Sequence, residues 1–224
     1  MTVTTAKASD ELLTAPKGGI AAPGILLALL SASYCLSYFD RMLMSVVGEL
    51  VKREFELSDF QLSLLNGAAF VVIYGACGVG AGLLVDRYSR KRIIVGALTL
   101  WSIVTMMCGL AQSPAQLALA RAGVGVGEAA NVPAGISMIS DVYPPQKRPL
   151  AIAIFYVGGM IGLLACFGGG SWVAQHYGWR AAFLLAGPPG FLLALLMAFF
   201  AREPEREQPA AEDLRVEVQE FPVG

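Results

Sequence analysis

Six long apolar segments restrict this chain to very few folds. A helix needs about 20 mostly apolar residues to cross the hydrocarbon core of a bilayer. Lipid offers no hydrogen-bond partner to an open sheet edge, so segments that are apolar on all faces cannot be strands. The sequence therefore predicts an all-α membrane protein with six transmembrane helices. Spans 1 to 6 cover roughly residues 25–50, 61–85, 93–111, 116–140, 150–173 and 182–201.

The composition excludes a soluble domain. Hydrophobic residues make up 56% of the 224 residues even before the 25 glycines are counted, only 15% are charged, and the mean hydropathy is +0.62. Soluble domains usually contain about 45–50% apolar residues with glycine included, and about 25% charged residues. We divide the chain into a polar cytoplasmic segment at 1–24, a transmembrane domain at 25–201 and an acidic cytoplasmic tail at 202–224.

Lysine and arginine in the short loops predict the orientation of the spans. With the N-terminus inside, only three basic residues lie near the outer ends of spans, and most of the others lie near the inner ends. Cytoplasmic loops are enriched in these residues. We therefore predict a protein of the cell (inner) membrane with both termini in the cytoplasm. Trp172 and Trp179 fall near the outer interface, where tryptophan side chains commonly anchor a span.

Several classes of function are disfavoured. No strongly basic face is available for nucleic acid. The four cysteines lie inside apolar runs without a CxxC pair, and there is one histidine, which disfavours a zinc site or a disulfide framework. The stretch GVGVGE at 123–128 has glutamate in place of the third glycine of a dinucleotide-binding loop and lies inside a span. We therefore predict neither an enzyme nor a cofactor.

Glycines recur four residues apart in three spans. This spacing places small residues on one helix face and lets neighbouring backbones approach closely. We expect each pair to form a packing seam between spans, a geometry that also suits helices that rock against each other. The pairs are Gly78 and Gly82, Gly123 and Gly127, and Gly158 and Gly162.

Four charged residues fall well inside the predicted spans, away from their ends: Asp40 and Arg41 in span 1, and Arg121 and Glu128 in span 4. A charge at the centre of a span costs about 3 kcal/mol even on lenient scales, so such a residue is a candidate for function. Arg121 and Glu128 are nearly two helical turns apart and share a face, which Asn131 joins. If spans 1 and 4 line one cavity, we expect Asp40 to pair with Arg121, or Arg41 with Glu128.

Two interpretations of these charges are open. They are structural if they form buried pairs that lock the bundle. They are functional if Asp40 or Glu128 gains and loses a proton, because a poorly hydrated cavity favours the protonated form of a carboxylate whereas a nearby arginine favours the ionised form. The functional interpretation predicts a carrier coupled to protons, and two arginines suit an anionic headgroup or a carboxylate.

The loop between spans 2 and 3, GLLVDRYSRKR at 82–92, carries more than positive charge. The positive-inside rule explains its basic residues but does not select an acid among them. Gly82, Asp86, Arg87, Arg90 and Lys91 resemble the signature loop of the major facilitator superfamily, G-x-L-x-D-r-x-g-r-k, with serine at position 89 where the family often has glycine. FDR in span 1 and RAGVGVGEA in span 4 are similar to the spinster-type branch of that family.

The resemblance covers about residues 25–203 and implies one half of a twelve-helix fold. Members of this superfamily place two six-helix halves around a midplane site and alternate access by rocking the halves. The resemblance implies that Asp86, Arg87 and Arg90 belong to a cytoplasmic gate between the halves. It also implies a small organic or lipid-like anion as substrate, since animal members of the branch are linked to export of lysolipids and sphingolipid phosphates. The implied cavity residues are Asp40, Arg41, Arg121, Glu128 and Asn131.

The sequence contains one six-helix half of that fold, followed by the acidic tail. Three explanations are open. The chain is a fragment, or it pairs with a second copy or a separate six-helix half to rebuild a carrier surrounded by membrane lipid, or it is a non-transporting membrane subunit that acts through protein–protein interaction.

Overall fold

A computed structural model describes residues 23–204, which contain helices and no strand. Most of the predicted N-terminal segment (1–24) and of the acidic tail (202–224) lies outside the described residues. The prediction of an all-α membrane protein is confirmed. The inner end of the bundle is defined here as the end that carries the loop between spans 2 and 3.

Four continuous helical stretches of the described chain are long and apolar enough to cross a membrane. Span 1 is Pro23–Glu54, and span 3 is Arg90–Gly109. Span 2 runs from Asp59 to Arg87 and contains one π-helical turn at Leu64–Ala68. Ser58 caps the start of span 2, because its hydroxyl accepts a hydrogen bond from the Gln61 N–H.

Spans 5 and 6 form one helical stretch, Arg148–Phe200, of 53 residues. A straight helix of this length would measure about 80 Å, whereas the bilayer core is about 30 Å thick. The backbone breaks at Gly178, which has φ 84° and ψ 163°, and glycine adopts a positive φ at little cost. The break lies in the predicted loop at 174–180, which agrees with two spans. Span 5 also contains a π-helical turn at Cys166–Gly170.

Span 4 is broken, and the continuous helix predicted over 116–140 is wrong in this respect. It consists of two helices, Pro114–Glu128 and Asn131–Val142, joined by a short turn. Pro133 explains the break, because it has no N–H to offer the carbonyl of Ala129 and its ring clashes with that carbonyl in a continuous helix. The first helix therefore ends at Glu128, which has a carboxylate side chain, and the second begins at Asn131, which has an amide side chain.

Three pairs of neighbouring spans determine the shape of the bundle. Spans 3 and 6 pack side by side, span 5 packs on span 1, and span 2 packs on span 4. One of the predicted glycine seams, the pair Gly158 and Gly162, lies at the interface of spans 5 and 1. A β-carbon at Gly158 would lie 2.2 Å from the Ser31 carbonyl oxygen, and one at Gly162 would lie 2.1 Å from the Cys35 carbonyl oxygen. A larger residue at either position would push the two backbones apart.

The glycines of span 4 also pack as predicted, but those of span 2 do not. A β-carbon at Gly127 would lie 2.8 Å from the Trp101 side chain of span 3. Around Gly78 and Gly82, in contrast, no atom of the described residues lies within 4 Å of an added β-carbon. The seam expected in span 2 therefore faces outwards from this chain.

The two predicted tryptophan anchors differ. Trp172 is 54% exposed, as an interfacial anchor should be, whereas Trp179 is 4% exposed. The Trp179 ring packs against Phe55 and Phe183, and its Nε1 donates to Glu54 at 2.7 Å. Trp179 therefore does not act as an exposed anchor, because its ring is buried and its indole N–H binds the carboxylate of Glu54 at the end of span 1.

Candidate functional site

Polar side chains join span 1 to the break in span 4. The Ser33 hydroxyl donates to Asn131 Oδ1 at 2.6 Å, and the Ser37 hydroxyl donates to Glu128 Oε2 at 2.8 Å. All four side chains are buried. Residues four apart lie on one helix face, and spans 1 and 4 run in opposite directions, so the two contacts form successive rungs of a ladder. The structure therefore brings spans 1 and 4 together.

Arg41 extends this ladder by one rung. Its Nε donates to Glu128 Oε2 at 2.7 Å, and the Arg41 side chain is 18% exposed whereas that of Glu128 is fully buried. The guanidinium carbon lies 4.2 Å from the ring centre of Tyr74 and 5.4 Å from that of Phe70. Aromatic faces at this distance stabilise a cation. Of the two pairings expected from the sequence, the structure contains the one between Arg41 and Glu128.

Asp40 and Arg121 meet in a different way from the one expected. Arg121 Nη1 donates to the main-chain carbonyl of Asp40 at 3.0 Å, not to its carboxylate. The Asp40 carboxylate instead accepts a hydrogen bond of 3.0 Å from the hydroxyl of Thr105, on span 3. Consecutive residues of a helix point about 100° apart, so Arg41 faces span 4 and Asp40 faces span 3. The expectation of an ion pair between Asp40 and Arg121 is corrected.

A pocket of about 390 Å³ opens beside these residues. It lies between spans 1, 2 and 4, and Arg41 of the ladder and Arg121 both line it. Ser45 and Asn66 supply further polar groups and are joined by a hydrogen bond of 3.3 Å. The aromatic rings of the lining belong to Tyr38, Phe70 and Tyr74.

Several buried polar atoms of the ladder and of the pocket lining have no hydrogen-bond partner among the described residues. They are Arg41 Nη2, Arg121 Nε, Glu128 Oε1 and Asn131 Nδ2. Buried polar atoms are paired with protein or ordered water in the great majority of cases, so these four atoms distinguish this region from the apolar interior around it. We name the ladder and its pocket the polar site.

The signature loop forms a second polar cluster at the inner end of the bundle. Arg90 is 2% exposed. Its guanidinium donates to the carboxylates of Asp141 and Glu203, to the Ser137 hydroxyl and to the Pro204 carbonyl. All three nitrogens of Arg90 are thus bound inside this half of the fold. The implied place of Arg90 in a cytoplasmic gate stays a prediction, and within the described residues its guanidinium is bound inside one half.

Glu203 caps the beginning of span 3. Its carboxylate accepts hydrogen bonds from the Ser89 hydroxyl at 2.7 Å and from the main-chain N–H groups of Arg90 and Lys91 at 2.9 and 2.8 Å. A helix N-terminus favours negative charge. Partial burial opposes ionisation of Glu203, but the hydrogen bonds from Ser89, Lys91 and Arg90 outweigh it, so the pKa of Glu203 lies below its ordinary value.

The remaining residues of the signature loop lie on the surface. Asp86 and Arg87 are exposed at the inner end of span 2, and the face of Gly82 is open. These three positions are therefore accessible from outside the described domain.

Sequence reasoning missed the partners that lie on other elements. Ser33, Ser37 and Arg41 follow each other at steps of four residues, and this regular spacing was a visible signal for a polar face on span 1. Thr105 and Tyr74 carried no such signal, because single hydroxyl-bearing residues are common in apolar spans.

Comparisons with known proteins agree with these observations. The profile of the Major Facilitator Superfamily matches residues 30–222. An MFS-type efflux pump of Mycolicibacterium smegmatis is 37% identical over 81% of this chain and 42% of its own length. A hexuronate transporter of Escherichia coli is 27% identical over 85% of this chain and 44% of its own length. The chain thus spans less than half of the length of these relatives.

A solved structure shares the fold. The crystal structure of a bacterial homolog of the human lysosomal transporter Spinster, in an inward-facing and unoccupied conformation, aligns with a TM-score of 0.75 at 33% identity. The alignment covers 85% of this chain and 45% of that one.

Proposed function

The chain belongs to the major facilitator superfamily, in which it corresponds to the N-terminal six-helix half and resembles the spinster-type branch, and we propose that it forms half of a proton-coupled transporter. In this proposal the transporter carries a small organic or lipid-like anion by alternating access. The chain is an integral membrane protein. We further propose that both termini lie in the cytoplasm, because the basic loops lie at the inner end of the bundle.

The single observation that carries the proposal is the state of Arg41 in the pocket wall. Glu128 occupies its Nε at 2.7 Å, and the rest of the guanidinium lies beside the ring of Tyr74 in the lining of the pocket. An arginine donor at the edge of a pocket suits a planar anion such as a carboxylate. Arg121 lines the same pocket and adds positive charge. The E. coli relative is named a hexuronate transporter, and hexuronates carry a carboxylate.

Asp40 and Glu128 are the proposed proton-binding groups. Both carboxylates are buried within the spans, and each accepts a hydroxyl hydrogen bond, from Thr105 and Ser37 respectively. Glu128 also binds Arg41, so an anion that draws Arg41 away removes the positive charge that favours ionised Glu128. Substrate binding and proton binding are thereby linked at one residue.

The open side of the pocket indicates what a partner of this chain would have to supply. The polar site is formed by spans 1, 2 and 4 and needs a second wall to enclose a substrate. We propose that a second six-helix half, or a second copy of this chain, supplies that wall. Asp86 and Arg87 would then contribute to the inner gate, since both side chains are exposed at the inner end of span 2.

Anion binding by the purified chain in nanodiscs tests the proposal, with glucuronate as the probe. Wild type should bind, and Arg41→Gln should raise Kd about 10-fold or more, because hydrogen bonds to charged groups contribute about 1.5–3 kcal/mol. Arg53→Gln is the matched control, since Arg53 is a highly exposed arginine of the same helix paired only locally with Glu49. Equal affinities for both variants would contradict an anion site at Arg41.

The native mass in nanodiscs distinguishes the two proposed partners. Twice the chain mass of 23.7 kDa indicates self-pairing, and one chain mass indicates a separate second half. A particle of one chain that binds no anion favours the alternative function, a membrane subunit that acts through protein–protein contacts.

A further inference from the structure

We propose that Arg180, at the start of span 6, is the outer counterpart of the signature-loop arginine Arg90, and that the two arginines brace the six-helix domain at its opposite ends. The loop that carries Arg180 reads GWR at 178–180. Nothing in the polar site uses this residue, and it is one of few basic residues at the outer end of the bundle.

The inner brace joins three spans through one guanidinium. Arg90 is the first residue of span 3. Its Nη1 donates to the carboxylate of Asp141, which lies at the end of span 4. Its Nη2 donates to the carbonyl of Pro204, just after the end of span 6, at 2.8 Å. Arg90 therefore ties the start of span 3 to the ends of spans 4 and 6.

The outer brace repeats these contacts with other residues. Arg180 follows the break at Gly178, at the start of span 6. Its Nη1 donates at 2.5 Å to the carboxylate of Glu54, which is the last residue of span 1. Its Nη2 donates at 2.9 Å to the carbonyl of Ala111, just after the end of span 3. Arg180 therefore ties the start of span 6 to the ends of spans 1 and 3.

The two braces correspond when spans 1, 2 and 3 are matched with spans 4, 5 and 6. Nη1 of Arg90 binds the acid near the end of span 4, and Nη1 of Arg180 binds the acid at the end of span 1; each of these spans is the first of the other triplet. Nη2 of Arg90 binds a carbonyl that follows span 6, and Nη2 of Arg180 binds a carbonyl that follows span 3; each of these spans is the third of the other triplet. The packing shows the same exchange, since span 5 lies on span 1 and span 2 lies on span 4. Because successive triplets begin on opposite sides of the membrane, one brace is inner and the other outer.

The two braces differ in how far their side chains are exposed to water. The Arg90 side chain is 2% exposed, whereas that of Arg180 is 37% exposed and its Glu54 partner 42% exposed. Exposed ion pairs are weakened by water and salt. The outer brace gains support from Trp179, whose ring centre lies 4.2 Å from the Arg180 guanidinium and whose indole N–H binds the same Glu54 carboxylate.

Labelling of a native cysteine with N-ethylmaleimide tests the outer brace. Cys108 is fully buried on span 3, about one turn from the Ala111 carbonyl that Arg180 holds. In the full chain, Arg180→Gln should increase the rate of Cys108 labelling several-fold, as read peptide by peptide in a mass spectrometer. Glu54→Gln should also increase the rate of Cys108 labelling, because it removes the charge of the other partner in the ion pair. Arg53→Gln, next to Glu54 but outside the brace, should leave the rate unchanged.

Arg90→Gln should leave the outer end closed, because span 3 is 20 residues long and separates the braces by about 30 Å. The decreases in melting temperature caused by Arg90→Gln and Arg180→Gln should then add in the double variant. The proposal is overturned if Cys108 labelling is unchanged in both Arg180→Gln and Glu54→Gln, or if Arg90→Gln raises it as much. If Arg180→Gln fails to fold, Glu54→Gln alone decides in the same way.

Discussion

Arg41 of span 1 and Glu128 of span 4 lie 87 positions apart in the sequence, yet Arg41 Nε and Glu128 Oε2 are 2.7 Å apart. This ion pair joins the first span of the domain to the fourth. The Ser37 hydroxyl binds the same carboxylate oxygen at 2.8 Å. The first prediction therefore concerns this carboxylate.

Glu128→Gln should abolish proton coupling and leave the domain folded. The amide oxygen still accepts hydrogen bonds from Ser37 and Arg41, but the side chain no longer binds and releases a proton. Glucuronate uptake into proteoliposomes, measured with and without an ionophore that discharges the proton gradient, checks this. Uptake by the variant that still collapses with the gradient would exclude Glu128 as the coupling group. Glu128→Ala should instead destabilise the domain by about 3–5 kcal/mol, because Arg41 is left largely buried and unpaired.

Gly162→Ala should destabilise the domain by about 1–3 kcal/mol, the range for an overpacked contact. The new β-carbon would lie 2.1 Å from the Cys35 carbonyl oxygen, and a backbone atom cannot move aside without separating spans 5 and 1. Gly82→Ala is the matched control, since no described atom lies within 4 Å of its added β-carbon.

The two glycine variants should differ in sign. Alanine favours a helix by about 0.8–1 kcal/mol over glycine, so Gly82→Ala should be neutral or stabilising. Denaturation midpoints in detergent provide the measurement. Equal midpoints for the two variants would show that the close approach of spans 5 and 1 does not limit stability.

Thr105→Val should destabilise the domain by about 1–3 kcal/mol. Valine keeps the shape of the side chain, but the buried carboxylate of Asp40 loses the hydroxyl donor at 3.0 Å. Thr99→Val on the same span is the control, because the Thr99 hydroxyl binds only the Val95 carbonyl of its own helix. Thermal melting of both variants separates the two cases, and an equal loss in the control would argue against a role for the contact with Asp40.

The inner brace should weaken in acid. The pKa of Glu203 is lower in the folded protein than the ordinary value of 4.5, so the folded state favours the ionised form. Its contribution to stability is therefore complete above about pH 5 and decreases as the pH falls through the lowered pKa. Melting temperatures measured from pH 7 to pH 3 should show this loss, and Glu203→Gln should reduce it. A variant with the pH profile of wild type would assign the acid sensitivity to other groups.

The fold was predictable because the thickness of a bilayer fixes how many apolar residues a spanning helix needs. Six apolar segments of about 20 residues and the basic loops between them were sufficient to predict an all-α membrane protein. The break in span 4 did not follow from Pro133 alone, because proline is tolerated in transmembrane helices when other groups satisfy the freed carbonyl. The burial of Trp179 depended on Glu54, which belongs to a different span.

The polar site was predictable only within single helices. Spacing placed Arg121, Glu128 and Asn131 on one face, and the structure places all three side chains in the interior beside span 1. Spacing did not decide which partner each residue takes, because that depends on the rotation of one helix against another. Asp40 illustrates the limit, since its neighbour Arg41 faces the pocket whereas its own carboxylate faces Thr105.

The open glycine face of span 2 has a consequence for movement. Helices usually fix their crossing angle and register by fitting ridges of side chains into grooves. Gly75, Gly78 and Gly82 lie on one side of span 2, and no described atom lies within 4 Å of a β-carbon added to any of them. A helix that rests on this strip meets smooth main chain, with no side chains to disengage. We therefore expect such a helix to approach the main chain of span 2 closely and to shift against it more easily than against a row of larger side chains.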